Sequence, residues 1–316
     1  MLAQVNPSFW CNNRELKFDQ HEERLSGTLV DLSIAFGLAA ALCWGTSDFA
    51  AKISAGRIGA LRTALFLQYI GGLFLVLIAV QDLPRIWMFP TAAYFTLGLG
   101  AINAAASFSL FKGFEVGQLS IISPIASSYP ALSTVLAVLL LNEHVSATRF
   151  AAILAILVGI LLVSIQRQSE RLDKKRLAAG VGYAMVTFFA LGFMFFALKL
   201  VVGNLGAFVP VLLVRLMSAT VLTGAVILTP RGHPCGKWSS YLPIVFVIGI
   251  VDTLGNITYN LGILGGAVSV VATISGLFSA VTVILAFVVL KERLAAHQAI
   301  GLLTILIGVS IIGFVF

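Results

Sequence analysis

The chain has 316 residues, of which 59% are hydrophobic and only 10% are charged, and its mean hydropathy is +1.02. Soluble domains contain about 25% charged residues, so this composition excludes a soluble domain and predicts an integral membrane protein. The formal net charge is +7. Because the cations lie in short segments between apolar runs, as they do in membrane-spanning proteins, nucleic acid is excluded as a partner.

Residues 1–30 form a polar tail of mixed charge, without the apolar stretch and small-residue cleavage site of a signal peptide. The membrane-spanning pattern begins abruptly at Val30. Since valine can be encoded by an alternative start codon, we hypothesise that translation starts there. Mass spectrometry of the native N-terminus tests this hypothesis, and a peptide from residues 2–25 would contradict it.

Ten apolar segments follow the tail, and several have the length of about 17–25 residues expected of a membrane-spanning helix. They cover 32–53, 59–80, 88–111, 118–141, 147–165, 178–200, 207–229, 241–263, 267–290 and 296–316. The run 253–290 has no charged residue, so it must fold back on itself near Gly265 and Gly266. A basic linker, 167–177, divides the chain into two units of five spans, 31–166 and 178–316. The predicted fold class is an all-α, polytopic membrane protein with ten transmembrane helices.

The two units are related by an internal repeat. With a shift of 149 residues, Gly100, Gly113, Gly117, Ser120, Ala137, Glu143 and Gly159 fall on Gly249, Gly262, Gly266, Ser269, Ala286, Glu292 and Gly308. With a shift of 147 residues, Gly45, Phe49 and Lys52 fall on Gly192, Phe196 and Lys199. We call residues related by these shifts repeat equivalents. Because each unit has five spans, which is an odd number, the second unit must cross the membrane in the opposite direction. Inverted repeats of this kind place a binding site near the midplane of the membrane.

Three short motifs are typical of a known family. They are Trp44-Gly45-Thr46-Ser47-Asp48-Phe49, then Leu141-Asn142-Glu143 followed by Gly159, and Leu290-Lys291-Glu292 followed by Gln298 and Gly301. In these motifs and in its ten-span pattern the chain resembles the EamA-type branch of the drug/metabolite transporter superfamily. The resemblance implies two inverted five-helix repeats, a central cavity lined by helices 1–4 and 6–9, peripheral helices 5 and 10, and export or exchange of small metabolites. It also implies an arginine in the second helix of a repeat, which Arg215 provides in the second unit, whereas the first unit has Gln68.

Asp252 lies near the middle of the span 241–263, about halfway through a hydrocarbon core that is ~30 Å thick, where a charge is costly. On a helix, three further polar residues share its face: Asn256, Tyr259 and Asn260. Its repeat equivalent is Asn103. Two interpretations are open. Asp252 is a proton-coupling carboxylate or a substrate counter-ion, or it is a protonated or hydrogen-bonded side chain that only holds helices together.

Arg215 lies about a third of the way into its span, where it can pair with Asp252 or bind a substrate carboxylate or phosphate through its fork of donors. Extension of its side chain to the interface is the alternative. Asp48, four residues before Lys52, has the spacing of a helical ion pair, but it can also line the cavity mouth together with Trp44. For Trp44, an interfacial position and an interior position both stay open.

Two further features are expected to be structural. Glu143 and Glu292 each precede the start of a span, where a carboxylate complements the helix dipole. The fourth span is rich in serine and contains Pro124 and Pro130, which free backbone carbonyls within it. Helices broken at corresponding positions of two repeats can mark a binding site, but only the first unit has the prolines.

Neither HExxH nor GxSxG nor a phosphate-loop motif is present, so an enzyme is not expected. The three cysteines lack the spacing of a metal site, so neither a metal nor a cofactor is expected. The sequence predicts a transporter that exports or exchanges a small polar or amphipathic metabolite by alternating access, coupled to protons. The alternatives are an uncoupled exchanger, a flippase for a lipid-linked substrate, and a membrane sensor or assembly subunit that transports nothing.

The expected partners are a small-molecule substrate, the lipid bilayer and protons, and a homodimer stays open. The expected location is the cell (inner) membrane, spanned many times. Lys and Arg are concentrated in the odd-numbered connections, above all in 167–176, which predicts that both termini lie outside. The family resemblance implies the opposite orientation.

Overall fold

The computed structural model describes residues 32–51, 54, 58–116, 125–126, 128–143, 145–164, 174–228, 242–290 and 295–314. All regular structure within these ranges is helical. The main helices are α1 Leu32–Ala51, α2 Ala60–Ile78, α3 Pro90–Val116, α4 Tyr129–Leu140, α5 Ala147–Ser164, α6 Lys174–Ala197, α7 Phe208–Leu228, α8 Leu242–Gly265, α9 in two parts (Val268–Ser275 and Phe278–Leu290) and α10 Ala296–Phe314. Three short helices connect them: Val80–Asp82, Arg85–Met88 and Lys199–Leu205. Helix is expected of apolar spans, because lipid offers the backbone no hydrogen-bond partners.

Six of the described helices are long and apolar enough to cross a membrane. They are Leu32–Ala51, Leu61–Ile78, Pro90–Leu110, Ala178–Leu205, Phe208–Leu228 and Pro243–Gly265. Four apolar helices are shorter: Tyr129–Leu140, Phe150–Leu162, Val268–Thr282 and Ala296–Gly308. The prediction of an all-helical, multi-pass membrane protein is thus confirmed, while the number of ten spans stays a prediction.

The two halves pack against each other through repeat-equivalent contacts, first between α5 and α10. A Cβ atom built on Gly159 would lie 2.7 Å from the side chain of Ile305, and one built on Gly308 would lie 2.6 Å from Ile156. Ile156 and Ile305 are themselves repeat equivalents, so each contact repeats the other. The two helices run antiparallel, as inverted repeats require, because residues later in α5 meet residues earlier in α10.

The same two-fold relationship holds at four other helix pairs, which form two sets of repeat equivalents. Gly100 on α3 packs against Met217 on α7, and Gly249 on α8 packs against Ile70 on α2, which is the repeat equivalent of Met217. Likewise Gly45 on α1 packs against Val281, and Gly192 on α6 packs against its equivalent, Leu132. A Cβ atom at any of these four glycines would approach the facing side chain within 2.5–2.8 Å. Glycine therefore recurs in the sequence where the halves approach most closely.

The helices α4 and α9 are both broken, and at equivalent places. A turn at Ser128 precedes Tyr129, the first residue of α4, and a turn at Gly276 and Leu277 precedes Phe278, the first residue of the second part of α9. Phe278 is the repeat equivalent of Tyr129. The turn in α9 forms without a proline, so the two units are broken at equivalent places although only the first unit has the prolines. The corresponding hydrogen bonds, Ser128 N–H to the Ile125 carbonyl and Leu277 N–H to the Ile274 carbonyl, are 3.3 and 3.0 Å long.

One boundary differs from the predicted spans, and the predicted fold-back near Gly265 and Gly266 is confirmed. Helix α6 begins at Lys174, inside the segment assigned to the basic linker, and its span continues through a short helix to Leu205. The fold-back of the uncharged run occurs between Gly265, where α8 ends, and Val268, where α9 begins. The predicted tail 1–30, the rest of the linker and Glu292 lie outside the described residues.

Candidate functional site

An ion pair joins α7 to α8 in the interior. The Nη2 atom of Arg215 donates a hydrogen bond to Oδ2 of Asp252, and the arginine side chain is only 5% exposed, against 18% for the aspartate. A buried charge is tolerated in a membrane protein when an opposite charge compensates it. The structure therefore brings together the two charged residues that the sequence places in neighbouring spans, and Arg215 does not extend to the interface.

Two neutral side chains complete this cluster. Nη1 of Arg215 donates to Oε1 of Gln68 over 3.1 Å, so the repeat equivalents Gln68 and Arg215 contact each other directly. Nδ2 of Asn256 donates to the backbone oxygen of Asp252 over 2.8 Å and lies 3.4 Å from its Oδ2. We call Gln68, Arg215, Asp252 and Asn256 the central cluster. It joins α2, α7 and α8 at the interface between the repeats.

Asn103 lies close to the central cluster but not within it. Its Nδ2 donates to Oγ of Ser218 over 3.0 Å, and Ser218 donates to the Gly100 carbonyl over 2.8 Å. Ser218 is one helical turn from Arg215 on α7. Asn103 and its repeat equivalent Asp252 therefore both bind α7, but Asn103 meets a hydroxyl group where Asp252 meets a guanidinium group.

The polar face predicted on α8 divides into parts with different contacts. The hydroxyl group of Tyr259 donates to the Phe195 carbonyl over 3.1 Å, and Tyr259 is 1% exposed. Asn260 donates through Nδ2 to the Ala207 carbonyl over 3.0 Å, which ties α8 to the connection between α6 and α7. In this conformation both side chains hold helices together and do not contact the Arg215–Asp252 pair.

Five aromatic rings from both repeats pack into one cluster beside the central cluster. They are Trp44 on α1, Tyr129 on α4, Phe195 on α6, Tyr259 on α8 and Phe278 on α9. Ring centroids of contacting pairs lie 4.9–6.4 Å apart, and the repeat equivalents Tyr129 and Phe278 are stacked at 6.0 Å. We call this group the aromatic cluster. Trp44 is 5% exposed, so it belongs to the interior and not to an interfacial belt.

Asp48 lies one turn beyond Trp44 on α1 and differs in its surroundings from Asp252. It is exposed, and it lies within electrostatic range of Asp252 on α8 and of Tyr129 on α4. Among the described residues no hydrogen bond or ion pair to Asp48 is found, and the predicted partner Lys52 lies outside them.

A second pair of charges holds the turn between α8 and α9. The carboxylate of Glu143, at the end of α4, accepts hydrogen bonds from the backbone N–H groups of Val268 and Ser269 over 2.8 and 3.1 Å. Nζ of Lys199 donates to the carbonyls of Ile263 and Gly266 on the other side of the turn. Glu143 thus caps a helix of the other repeat, whereas the sequence suggested the helix that follows it. Each charge has the sign that its helix end favours.

A groove of about 310 Å³ runs along the outer side of α2 and α7. Gln68 lines its inner side, while the groove's outer residues, among them Leu73 and Leu216, are exposed. Exposed leucines of this kind face lipid in a membrane-spanning chain. The groove therefore leads from the lipid-facing surface to a residue of the central cluster.

Sequence reasoning missed Tyr129, Phe195 and Phe278 of the aromatic cluster, and it missed Lys199. A signal was present for Tyr129 and Phe278, because an aromatic residue occupies equivalent positions of the two repeats. Nothing comparable marks Phe195, whose repeat equivalent is Asp48. Lys199 was noticed only as the equivalent of Lys52.

Comparison with known proteins identifies the family. A model of the EamA-like transporter family matches the chain twice, over residues 31–165 and 178–314. The chain is also similar to an uncharacterized protein of Methanocaldococcus jannaschii, with 25% identity over 136 residues, which is 43% of this chain and 98% of that protein. That relative therefore has about the length of a single repeat.

A crystal structure of a protein has a similar fold. The TM-score is 0.73 at 20% sequence identity, and the superposition covers 88% of this chain and 95% of that chain. Similarity at this level of identity shows a shared fold alone.

Proposed function

Because the chain belongs to the EamA-like transporter family, we propose that it exports or exchanges a small polar or amphipathic metabolite by alternating access, coupled to protons. Membership of this family makes it a membrane transporter of small substrates; the direction, the coupling and the mechanism are our proposal. We further propose that it resides in the cell (inner) membrane.

Alternating access is supported by the way the halves are packed. Inverted repeats that contact each other through equivalent residues can exchange conformations, so that one arrangement is open to each side of the membrane. The stacked pair Tyr129 and Phe278 and the hydrogen-bonded pair Gln68 and Arg215 each place equivalent residues at the interface between the halves. In this proposal the substrate passes between the halves, close to these two pairs.

The ion pair of Arg215 and Asp252 between the repeats is the observation on which the proposal mainly rests. Buried charges inside a membrane protein are costly and are usually part of a transport pathway. In this conformation Arg215 compensates the charge of Asp252. Asp48 has no such partner among the described residues and provides a second carboxylate for coupling.

A flippase for a lipid-linked substrate is the second candidate, and the groove between α2 and α7 favours it. An acyl chain could occupy that groove while a polar group reaches Gln68 and Arg215. Transport by such a flippase, or by an uncoupled exchanger, would not follow an imposed pH gradient. A sensor or assembly subunit would move no substrate at all.

The test is transport of a metabolite pool by purified protein in liposomes, with and without an imposed pH gradient, measured by mass spectrometry of the internal contents. We expect the wild type to accumulate or release specific metabolites when the gradient is present, and Asp252→Asn to lose this transport. Equal pH-dependent transport by both would remove Asp252 from the coupling mechanism. No transport of any pool member would contradict the proposal as a whole.

A further inference from the structure

We propose that Ser47 on α1 is a positioning residue of the transport cycle, whose hydroxyl group donates a hydrogen bond to the Asp252 carboxylate in the conformation that opens at the α8–α9 turn. In the conformation described above, Gln68 of the same repeat binds Arg215 instead. The first repeat therefore bonds to the arginine of the ion pair in one conformation and to the aspartate in the other. The inference rests on the proposed transport by alternating access and names a residue that controls it.

Ser47 has a buried hydroxyl group that forms no hydrogen bond. The residue is 2% exposed, and no partner for its Oγ atom is found among the described residues. A hydroxyl group on a helix can donate to a carbonyl one turn earlier, as the neighbouring Thr46 does to Leu42 over 2.8 Å. Since a buried polar group without a partner is costly, the unused donor of Ser47 calls for an explanation.

The packing of α1 on α8 is antiparallel. A Cβ atom on Gly262 would lie 3.2 Å from Cβ of Phe36, and one on Gly255 would lie 3.2 Å from Cβ of Cys43. A step of seven residues along α1 thus corresponds to a step of seven residues along α8 in the opposite direction.

This register places Ser47 level with Asp252. Ser47 follows Cys43 by one turn and shares the side of α1 that faces α8. The corresponding turn of α8 contains residues 251 and 252. The charge of Asp252 is also within electrostatic range of Cys43 and Asp48, the residues four before and one after Ser47.

Asp252 has an unused acceptor at this depth. Its Oδ2 atom accepts from Arg215 and lies 3.4 Å from Nδ2 of Asn256, whereas no described residue donates to Oδ1. A carboxylate can accept through both oxygens. An unused donor on α1 and an unused acceptor on α8 therefore face each other without being joined in this conformation.

The two repeats divide these groups in a way that suits a switch. Arg215 and Asp252 both belong to the second repeat, so their ion pair lies within it, while Gln68 and Ser47 belong to the first. Alternating access moves one repeat against the other. Such a movement exchanges the bond of Gln68 to Arg215 for a bond of Ser47 to Asp252 and leaves the buried charges paired, which avoids the large cost of separating them.

The experiment measures how often the α8–α9 turn opens. A cysteine at Ala267, which is half-buried in this turn, is introduced in a background without Cys11, Cys43 and Cys235. Its rate of reaction with a water-soluble maleimide is measured in lipid nanodiscs, at a low reagent concentration where the rate follows the open population. The variants in this background are Ser47→Ala, Ser47→Thr, Gln68→Leu and the matched hydroxyl control Thr46→Val.

We expect Ser47→Ala to slow labelling at least about fivefold, because the open conformation loses a hydrogen bond to a charged group. Gln68→Leu should accelerate labelling by a similar factor, because the described conformation loses its bond to Arg215. Ser47→Thr, which keeps the hydroxyl group, and Thr46→Val should both stay within about twofold of the parent protein. Labelling of Ser47→Ala at the parent rate, or of Ser47→Thr as slowly as Ser47→Ala, would overturn the inference.

Thermal unfolding of the same variants separates this role from a merely structural one. Ser47→Ala should unfold at the same temperature as the parent protein or a higher one, because alanine removes a buried hydroxyl group that has no partner in this conformation. A lower unfolding temperature would show that the hydroxyl group already stabilises this conformation, which contradicts the exchange of contacts.

The outcome is distinguishable from that of the transport proposal, because labelling needs no substrate. If liposomes transport metabolites and Ser47→Ala is labelled at the parent rate, the transport proposal stands and the role of Ser47 is wrong. If labelling changes as expected but no pool member is transported, the exchange of contacts stands and the transport proposal fails.

Discussion

Gln68 and Arg215 occupy equivalent positions in the two repeats and are hydrogen-bonded to each other, with 3.1 Å between Oε1 and Nη1. One repeat therefore supplies the acceptor and the other the charge, and only the second repeat has the carboxylate that compensates this charge. The asymmetry of the site arises from two substitutions between equivalent positions, Gln68 against Arg215 and Asn103 against Asp252.

Loss of one member of the Arg215–Asp252 pair should cost more than loss of both. Arg215→Ala leaves Asp252 without its counter-charge inside the membrane, a change that costs about 3–5 kcal/mol when a buried pair is broken. Arg215→Ala combined with Asp252→Ala removes both charges and should recover much of this stability. Thermal unfolding of the purified proteins in detergent, followed by circular dichroism, measures the difference.

Tyr69→Phe is a suitable control for that experiment. It removes an exposed hydrogen bond of 2.8 Å to Thr223, which joins α2 to α7, so it should change stability by no more than about 1 kcal/mol. A double variant as unstable as Arg215→Ala alone would mean that the missing contacts of the arginine, and not the uncompensated charge, cause the loss.

Alanine substitution of two adjacent glycines in α2 can separate an effect on Arg215 from an effect on the helix itself. A Cβ atom on Gly71 would overlap Oγ1 of Thr253 and lie 2.9 Å from Nε of Arg215, whereas on Gly72 the nearest atom is Cβ of Arg215 at 3.9 Å. Both alanine substitutions favour the helix by about 0.5–1 kcal/mol. We expect Gly72→Ala to be neutral or stabilising and Gly71→Ala to lower both the unfolding temperature and the transport rate. Equal behaviour of the two variants would show that Arg215 can move without loss.

The contact of Glu143 with the α8–α9 turn should control access to that turn. Glu143→Ala leaves the N–H groups of Val268 and Ser269 without their acceptor, at a cost of about 1–2 kcal/mol, the range for loss of a helix cap. A cysteine at Ala267, in a background without Cys11, Cys43 and Cys235, should then react faster with a water-soluble maleimide.

Lys199→Met should have the same effect on labelling at Ala267, because it releases the carbonyls of Ile263 and Gly266 on the other side of the turn. Asp82→Asn, which removes only the partly exposed ion pair with Arg85, should leave the labelling rate unchanged. If neither Glu143→Ala nor Lys199→Met accelerates labelling, the two charges do not restrain this turn.

The sequence was sufficient to predict the helical, multi-pass fold and the repeat, because apolar length and recurring glycines follow directly from the physics of the bilayer and of close helix packing. It could not predict the break in α9, where Gly276 and Leu277 form a turn without any proline. The break in α4 was suggested by Pro124 and Pro130. Its equivalent in α9 depends on packing against the other repeat, which no local pattern encodes.

The site was predictable only in part, for a similar reason. The spacing along α8 correctly placed Asn256 against Asp252, because residues four apart on a helix are neighbours. The same spacing suggested that Tyr259 and Asn260 belong to the site, yet they bind the backbone of Phe195 and Ala207. Which helix faces a given side chain is decided by tertiary contacts.

Substitution of the two aspartates should separate proton coupling from substrate translocation. Asp48→Asn mimics permanent protonation of the exposed carboxylate, so net transport should no longer respond to a pH gradient while exchange of labelled for unlabelled substrate continues. Asp252→Asn leaves the charge of Arg215 unpaired and should impair exchange as well as net transport. Both rates are measured in the same proteoliposomes, with Asp82→Asn as the control. Loss of exchange in Asp48→Asn together with normal pH-driven transport in Asp252→Asn would contradict this division of roles.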